Sequence, residues 1–142
     1  MRNKQKKLIV SLFFNFWFSA ILHLGDNQFG GRISDSLYKM VKLESLRLNS
    51  NKFRGHLSQK IQQLRHLEVL QLGNNNFTGY VPNAFQNFRE LQELRLHGNA
   101  FQGTIPNNVC SLMKQYELEK LSADCEEGNA MQVVCECCTE CH

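Results

Sequence analysis

Residues 67–90 read LEVLQLGNNNFTGYVPNAFQNFRE, and this order of residue types returns on both sides with a period of 24 residues. Gap-free copies begin at Leu43, Leu67 and Leu91, and an earlier copy that begins at Ser19 lacks only the first leucine. Self-similarity at a fixed period of this size is the signature of stacked structural repeats, in which each unit buries its apolar face against the next. A helical bundle has no reason to repeat asparagine, phenylalanine and glycine at one offset, so we exclude that class.

Each repeat contains the parts of one coil. Leucines that alternate with other residues predict a short strand with one buried face, and an asparagine after the strand can hydrogen-bond turn backbone that would otherwise be buried unpaired. A phenylalanine two residues later is expected to stack on its equivalents in neighbouring coils, and a glycine permits the turn that follows. The return leg has apolar residues spaced by four and then three positions, which predicts a short helical or 3-10 segment. The asparagines are Asn27, Asn51, Asn75 and Asn99, the phenylalanines Phe29, Phe53, Phe77 and Phe101, and the glycines Gly31, Gly55, Gly79 and Gly103.

The repeat resembles the consensus LxxLxLxxNxFxGxIP of the leucine-rich-repeat family, best in LEVLQLGNNNFTGYVP and LQELRLHGNAFQGTIP. The 24-residue period and the steps Val81-Pro82 and Ile105-Pro106 are similar to the plant-type subclass, although Ile33-Ser34 and Leu57-Ser58 depart from it. The resemblance implies an α/β fold: a right-handed solenoid of about four coils over residues 19–112, with a parallel β-sheet on the concave face. It also implies repeats that lie outside the cell and a partner bound on that face.

The distribution of charge excludes one class of partner. The formal net charge of +3 comes from a basic start, because residues 1–18 contain four Lys/Arg and no Asp/Glu. Residues 19–112 hold ten Lys/Arg against six Asp/Glu, and residues 113–142 hold two against seven. The repeats contain no Lys/Arg run that would follow a phosphate backbone, so we expect no nucleic-acid binding.

The first 18 residues allow two interpretations. Four basic residues followed by an apolar stretch are typical of a secretory signal or a signal anchor, and the latter would tether the protein to a membrane. A step of 24 residues back from the first coil, however, brings Asn3, Ile9, Phe13 and Phe16 into the repeat columns. Residues 1–18 are therefore either a leader or a degraded upstream coil.

Residues 113–142 are expected to form a cysteine-rich C-terminal cap, because the last coil of a solenoid otherwise leaves an apolar face in water. The repeat frame slips by three residues after Leu112, and LEKLSADC then predicts a fifth, imperfect strand. An even number of cysteines in an extracellular type of repeat favours disulfides over zinc, since the spacing lacks the paired motifs of structural zinc sites. The preferred pair is Cys110–Cys125 across neighbouring coils; a metal-binding tail and a reduced tail remain alternatives. The six cysteines are Cys110, Cys125, Cys135, Cys137, Cys138 and Cys141.

The outward strand positions are the candidate partner-binding residues. Arg47, Gln71 and Arg95 form a part-basic stripe on adjacent strands about 4.8 Å apart, so one acidic segment would reach all three. The alternative is that these are solvated side chains of an exposed sheet. The full set is His23, Ser45, Arg47, Asn49, Val69, Gln71, Glu93, Arg95 and His97.

The sequence predicts a binding module without catalytic chemistry, cofactor or metal. His97 and Asp124 are neighbours by column and form a candidate pair, but no nucleophile or oxyanion hole accompanies them. The expected function is recognition of a protein or peptide by a secreted or membrane-anchored extracellular protein; the alternatives are a structural fragment of a larger repeat protein and a thiol-rich metal-binding protein. Asn76-Phe77-Thr78 is an N-glycosylation sequon, and we expect Asn76 in an exposed turn.

Overall fold

A computed structural model describes residues 20–125 and 133–142, which form two parallel sheets. The six-stranded sheet has the order β1-β3-β5-β7-β9-β11, and the five-stranded sheet has the order β10-β8-β6-β4-β2. The strands are β1 (Ile21–His23), β2 (Gly30–Gly31), β3 (Ser45–Arg47), β4 (Lys52–Gly55), β5 (Val69–Gln71), β6 (Asn76–Tyr80), β7 (Glu93–Arg95), β8 (Ala100–Thr104), β9 (Lys120–Ala123), β10 (Val133–Val134) and β11 (Glu140–Cys141). The predicted leucine-rich-repeat solenoid with a parallel concave sheet is confirmed, and β1–β3–β5–β7 supply its four regular coils.

The strands of the concave sheet are aligned by a column of buried leucines. Leu46 pairs with Leu70, Leu70 with Leu94, and Leu94 with Leu121 in successive strands. All four are fully buried, and each such side chain stabilises the fold by roughly 1.5–3 kcal/mol relative to an exposed position. A slip of one residue would turn this column towards solvent, so the leucines fix the register of the whole sheet.

The asparagine that follows each strand joins two coils. The Asn75 Nδ2 group donates to the carbonyl oxygens of Leu48 at 2.9 Å, Leu72 at 3.1 Å and Gly73 at 3.2 Å. Its Oδ1 atom accepts from the backbone N–H of Phe53 at 3.0 Å. Equivalent bonds from Asn51 and Asn99 confirm the predicted ladder.

The predicted phenylalanine column is confirmed from the second to the fourth coil. The ring centroids of Phe53 and Phe77 are 6.5 Å apart, and those of Phe77 and Phe101 are 6.1 Å apart. The three rings are nearly parallel, with interplanar angles of 8° and 9°. Phe29, in the first coil, is only partly buried.

The return legs differ more than the strands do. They contain 3-10 segments at Leu37–Lys39 and Gln59–Gln63 and an α-helix, α1, at Asn107–Gln115. Residues 82–90 of the third coil hold no helical segment, so that part of the prediction is wrong. Two short turns lie there instead, at residues 86–87 and 89–90, and the Phe88 N–H bonds to the Phe85 carbonyl at 3.1 Å. Helix α1 absorbs the three extra residues of the frame slip, after which β9 returns to register.

We expect substitution of a ladder asparagine to unfold the solenoid at lower denaturant. Asn75→Ala removes the hydrogen bonds to the Leu48 and Leu72 carbonyls and from the Phe53 N–H. We therefore expect the free energy of unfolding in urea to fall by about 3 kcal/mol. Asn27 is the matched control because it is exposed and because, within the described ranges, its side chain bonds only to carbonyls of its own coil, those of Leu24 and Gly25. Asn27→Ala should cost about 1 kcal/mol or less. Equal losses for the two variants would contradict the role of the ladder.

Candidate protein-binding face

The concave sheet presents its outward side chains in three columns. The central column runs from His23 through Arg47, Gln71 and Arg95 to Ser122, as the strand register shows. One flanking column runs from Ile21 through Ser45, Val69 and Glu93 to Lys120. The third contains Asn49, Gly73, His97 and Asp124, two residues past each central position. The structure therefore brings all nine candidate residues onto one surface.

Two of these columns continue onto a strand that the sequence analysis missed. Strand β11 pairs with β9, and Glu140 is in register with Ser122. His142 follows, with its backbone N–H bonded to the Ala123 carbonyl at 3.0 Å. No repeat signal marks β11, because the cap has left the 24-residue period and the strand has only two residues. The chain's own C-terminal residues thus become part of the concave face.

Arg95 is held by carboxylates of its own chain. Its Nε atom forms a short ion pair with Glu93 Oε1, and its Nη1 atom is 3.1 Å from Glu140 Oε2. The hydrogen bond to Glu93 raises the pKa of Arg95 further above its ordinary value, against the smaller effect of burial. Gln71 Nε2 also donates to Glu93 Oε1, at 2.9 Å. Burial alone would raise the pKa of Glu93, but the hydrogen bonds from Arg95 and Gln71 outweigh it and lower that pKa.

Arg47 has a different environment from Arg95, although the two occupy the same column. Its side chain is exposed and forms no ion pair with any residue in the described ranges. The adjacent His23 bonds through Nε2 to Ser45 Oγ at 2.8 Å. Burial, and then the charge of Arg47, lowers the pKa of His23. The predicted stripe of three equivalent polar groups therefore divides into an open guanidinium and an internally paired one.

His97 lies in a short hydrogen-bonded chain near the cap. Its Nδ1 atom is 2.7 Å from Ser122 Oγ, and its ring stacks on that of His142 with 4.3 Å between centroids. Asp124 does not bond to His97; it accepts from the backbone N–H groups of Gly98 at 2.8 Å and Asn99 at 3.0 Å. Asp124 thus binds the turn backbone of the preceding coil.

A shallow hollow of about 240 Å³ lies on the concave face beside Arg95. This volume is below the range of typical small-molecule sites. It is suited to one side chain of a larger partner. The lining residues are Asn49, Gln71, Gly73, Asn74, Arg95 and His97.

The cap contains three disulfides, and their pairing corrects the predicted Cys110–Cys125 bond. The pairs are Cys110–Cys137, Cys125–Cys141 and Cys135–Cys138. The prediction ended the concave sheet at β9 and so assumed that Cys125 was the nearest thiol to Cys110. Strand β11 lies outside β9 and brings Cys141 beside Cys125, which leaves Cys110 of helix α1 to pair with Cys137.

The structure also bears on the predicted glycosylation site, the alternative metal site and the membrane segment. Asn76 is exposed but is the first residue of β6 rather than part of a turn, so its predicted location is corrected. Within the described ranges, no group of three or more His, Cys, Asp or Glu residues could hold a metal ion. None of the helices in the described part of the chain is both long and apolar enough to cross a membrane. The leader and upstream-coil interpretations of residues 1–18 lie outside the described residues.

The repeat sequence matches a known family model. The model for the leucine rich repeat matches residues 42–101. The chain is a leucine-rich-repeat protein. No curated protein sequence matches the chain at a significant level.

Three solved plant structures illustrate the relationship of this leucine-rich-repeat protein to others. The ectodomain of the receptor kinase SOBIR1 from Arabidopsis thaliana has a TM-score of 0.65 and 30% identity over 71% of this chain and 53% of that chain. A chain of the BIR3–SERK2 complex from Arabidopsis thaliana has a TM-score of 0.68 and 26% identity over 85% of this chain and 69% of that one. The plant peptide hormone receptor RGFR1, solved in complex with RGF2, has a TM-score of 0.64 and 32% identity over 69% of this chain. This chain spans about half of the SOBIR1 ectodomain and 16% of RGFR1.

Proteolysis without reduction distinguishes the two disulfide arrangements. Trypsin and a Glu-specific protease release residues 96–114 with Cys110 and separate the tail after Glu126, Glu127, Glu136 and Glu140. We expect residues 96–114 to be linked to residues 137–140, which are in turn linked to residues 128–136. The fragment that ends at Glu126 should be linked to residues 141–142. Digestion at mildly acidic pH suppresses thiol exchange, and mass spectrometry identifies the linked fragments. A link between residues 96–114 and the fragment that contains Cys125 would contradict this pairing.

A second measurement tests the stacked histidines. Burial, and then the nearby His142, lowers the pKa of His97 from 6.5. As the pH falls, His97 takes up a proton in the unfolded chain before it does so in the folded chain. The contribution of neutral His97 to the stability of the folded state is therefore complete above pH 6.5 and is lost as the pH falls from 6.5 towards the folded-state pKa. We expect the NMR titration midpoint of His97 to lie below 6.5, and His142→Ala to raise it. The His23 midpoint should not respond, and an unchanged His97 midpoint would contradict the contact.

Proposed function

We propose that this protein is a non-catalytic module that binds a protein or peptide on its concave sheet. Solved plant relatives support the class of partner: RGFR1 is a peptide hormone receptor solved with RGF2, and HAESA was solved with the peptide hormone IDA and the co-receptor SERK1. HAESA has 29% identity to this chain, and the matched segment is 17% of its chain. The partner of the present protein need not be theirs, so its chemistry is inferred from this chain's own residues.

The observation that carries the proposal is the contrast between Arg47 and Arg95. An incoming carboxylate would have to displace Glu93 and Glu140 from Arg95, whereas the Arg47 side chain meets no carboxylate of the described residues. A guanidinium donates paired hydrogen bonds to a carboxylate with little loss of its own freedom. The acidic group of the partner therefore binds at Arg47, between His23 and Gln71.

The neighbouring column supplies apolar surface for the same partner. Ile21 is 56% exposed, and Val69 lies two strands away in its column. Ser45 lies between them. The expected ligand segment is therefore extended and mixed, with an acidic side chain or carboxyl terminus next to an aliphatic one.

We also propose an extracellular location. Three disulfides in a chain of this size persist in oxidising compartments and are rare where glutathione keeps thiols reduced. Asn76 is exposed on β6, as the acceptor of an N-linked glycan must be. On this proposal, residues 19–112 are the binding repeats and residues 113–142 are the cap that closes them.

Selection from a displayed library of random dodecapeptides tests this function directly. We expect wild-type protein to enrich peptides with an Asp, a Glu or a free carboxyl terminus at one position. Arg47→Glu should weaken the selected peptides at least tenfold, which is about 1.4 kcal/mol. Arg65→Glu is the matched control, because it makes the same change of charge at an exposed residue that lies off the concave strands.

Each other result of that selection contradicts part of the proposal. Equal weakening by Arg65→Glu would indicate a general charge effect. Retention of binding by Arg47→Glu would remove Arg47 from the site. Failure of wild-type protein to enrich any acidic motif would contradict the proposed ligand chemistry.

A further inference from the structure

The second, five-stranded sheet has an outward face that the proposed function does not use. In each of the first three coils, the residue after the turn glycine lies over the glycine of the next coil. Arg32 lies over Gly55, His56 over Gly79 and Tyr80 over Gly103. A Cβ atom at Gly79 would be 2.1 Å from His56 Nδ1, and one at Gly103 would be 2.8 Å from Tyr80 Cδ1.

These contacts give the three side chains a fixed platform without burying them. Gly55, Gly79 and Gly103 have φ values of 91°, 79° and 78°, a conformation that side chains rarely adopt. The same glycines therefore form the turn and leave room for the overlying group. Arg32, His56 and Tyr80 remain exposed, and Tyr80 is 70% exposed although it is a large aromatic residue. We call this row the glycine ledge.

The surroundings of the glycine ledge are positively charged. Lys52 and Arg54 project outward from β4, on the side of the sheet where Arg32 and His56 lie. Residues 28–34, 52–58, 76–82 and 100–106, which contain β2, β4, β6 and β8, include no Asp or Glu. None of Arg32, Lys52 and Arg54 forms an ion pair with a residue in the described ranges. Three uncompensated cations attract a multivalent anion.

We infer that the glycine ledge and the β4 cations bind an acidic oligosaccharide, a chain of sugar units that carry carboxylates. Adjacent strands lie about 4.8 Å apart, a spacing close to the length of one pyranose unit in an extended sugar chain. Arg32 and Arg54 donate paired hydrogen bonds to the carboxylates. The exposed Tyr80 ring offers an apolar surface on which the flat face of a sugar ring packs.

The aromatic end of the row favours a sugar over an acidic peptide. An acidic peptide needs only the cations, and the flat arrangement of His56 and Tyr80 on glycines would give it nothing further. A sugar chain uses both parts, with its carboxylates at the first two coils and an uncharged ring face at the third. The ligand therefore runs across the strands, from Arg32 towards Tyr80.

Calorimetric titration with three defined probes tests this inference. The probes are a hexasaccharide of uronic acids, its fully methyl-esterified neutral form, and a hexapeptide of glutamate. We expect the full-length protein to bind the uronic acid hexasaccharide at least tenfold more tightly than either other probe. Equal binding of the glutamate peptide would assign the face to acidic protein segments, and equal binding of the neutral ester would remove the cations from the site. Either result, or no binding of the uronic acid probe, overturns the inference.

Surface variants then locate the site. The double variant Arg32→Ala, Arg54→Ala should weaken the acidic probe at least tenfold, and Tyr80→Ala should weaken it several-fold. Arg65→Ala and Arg47→Glu should leave it unchanged, since both positions lie off this sheet. The Arg47→Glu control also separates this site from the concave one, because either can fail alone. Full binding by the double variant or by Tyr80→Ala, or an equal loss in Arg65→Ala, would overturn the assignment.

Discussion

The structure depends on the hydrogen bonds that each ladder asparagine makes across two coils. The amide of Asn75 satisfies carbonyls in its own coil and in the preceding one, and its oxygen accepts from the N–H of Phe53. A turn packed inside a solenoid would otherwise leave those backbone groups buried and unpaired, which is expensive. Because one side chain has to reach both coils, the distance between coils is fixed, and the leucine and phenylalanine columns follow at the same spacing. Variation is confined to the return legs and to the outward positions.

That constraint explains which features could be predicted from the sequence. The leucine register, the asparagine ladder, the phenylalanine stack and the positive φ of the turn glycines all recur at a fixed offset, so four copies reinforce one another. The columns of the concave face followed from the same frame. Residues 82–90 departed from the predicted helical return, since the spacing of Phe85 and Phe88 fixes which side chains are buried but does not specify the backbone between them.

The cap could not be predicted to the same depth, because it occurs once. Strand β11 has two residues and no repeat to reveal it. The disulfide pairing depends on that strand, and so the Cys110–Cys125 prediction was wrong even though the fifth strand was predicted correctly. Asp124 shows the same limit in a milder form. It stands two residues before the position that a ladder asparagine would take in the register of β9, and it also bonds turn backbone of the preceding coil, by accepting from two backbone N–H groups.

The cap also alters the electrostatics of the concave face. The Cys125–Cys141 disulfide holds β11 against β9, and β11 carries Glu140 to within 3.1 Å of Arg95. Without that strand, Arg95 would keep only Glu93 as a partner and would present part of its guanidinium to solvent. The two arginines of the central column would then be more alike, as the repeat pattern by itself suggests. The difference between them arises because the terminal strand, which covers the last coil, also places a carboxylate on the binding surface. Under the proposal that the concave face binds an acidic partner, the terminal strand therefore directs that partner away from Arg95 and towards Arg47.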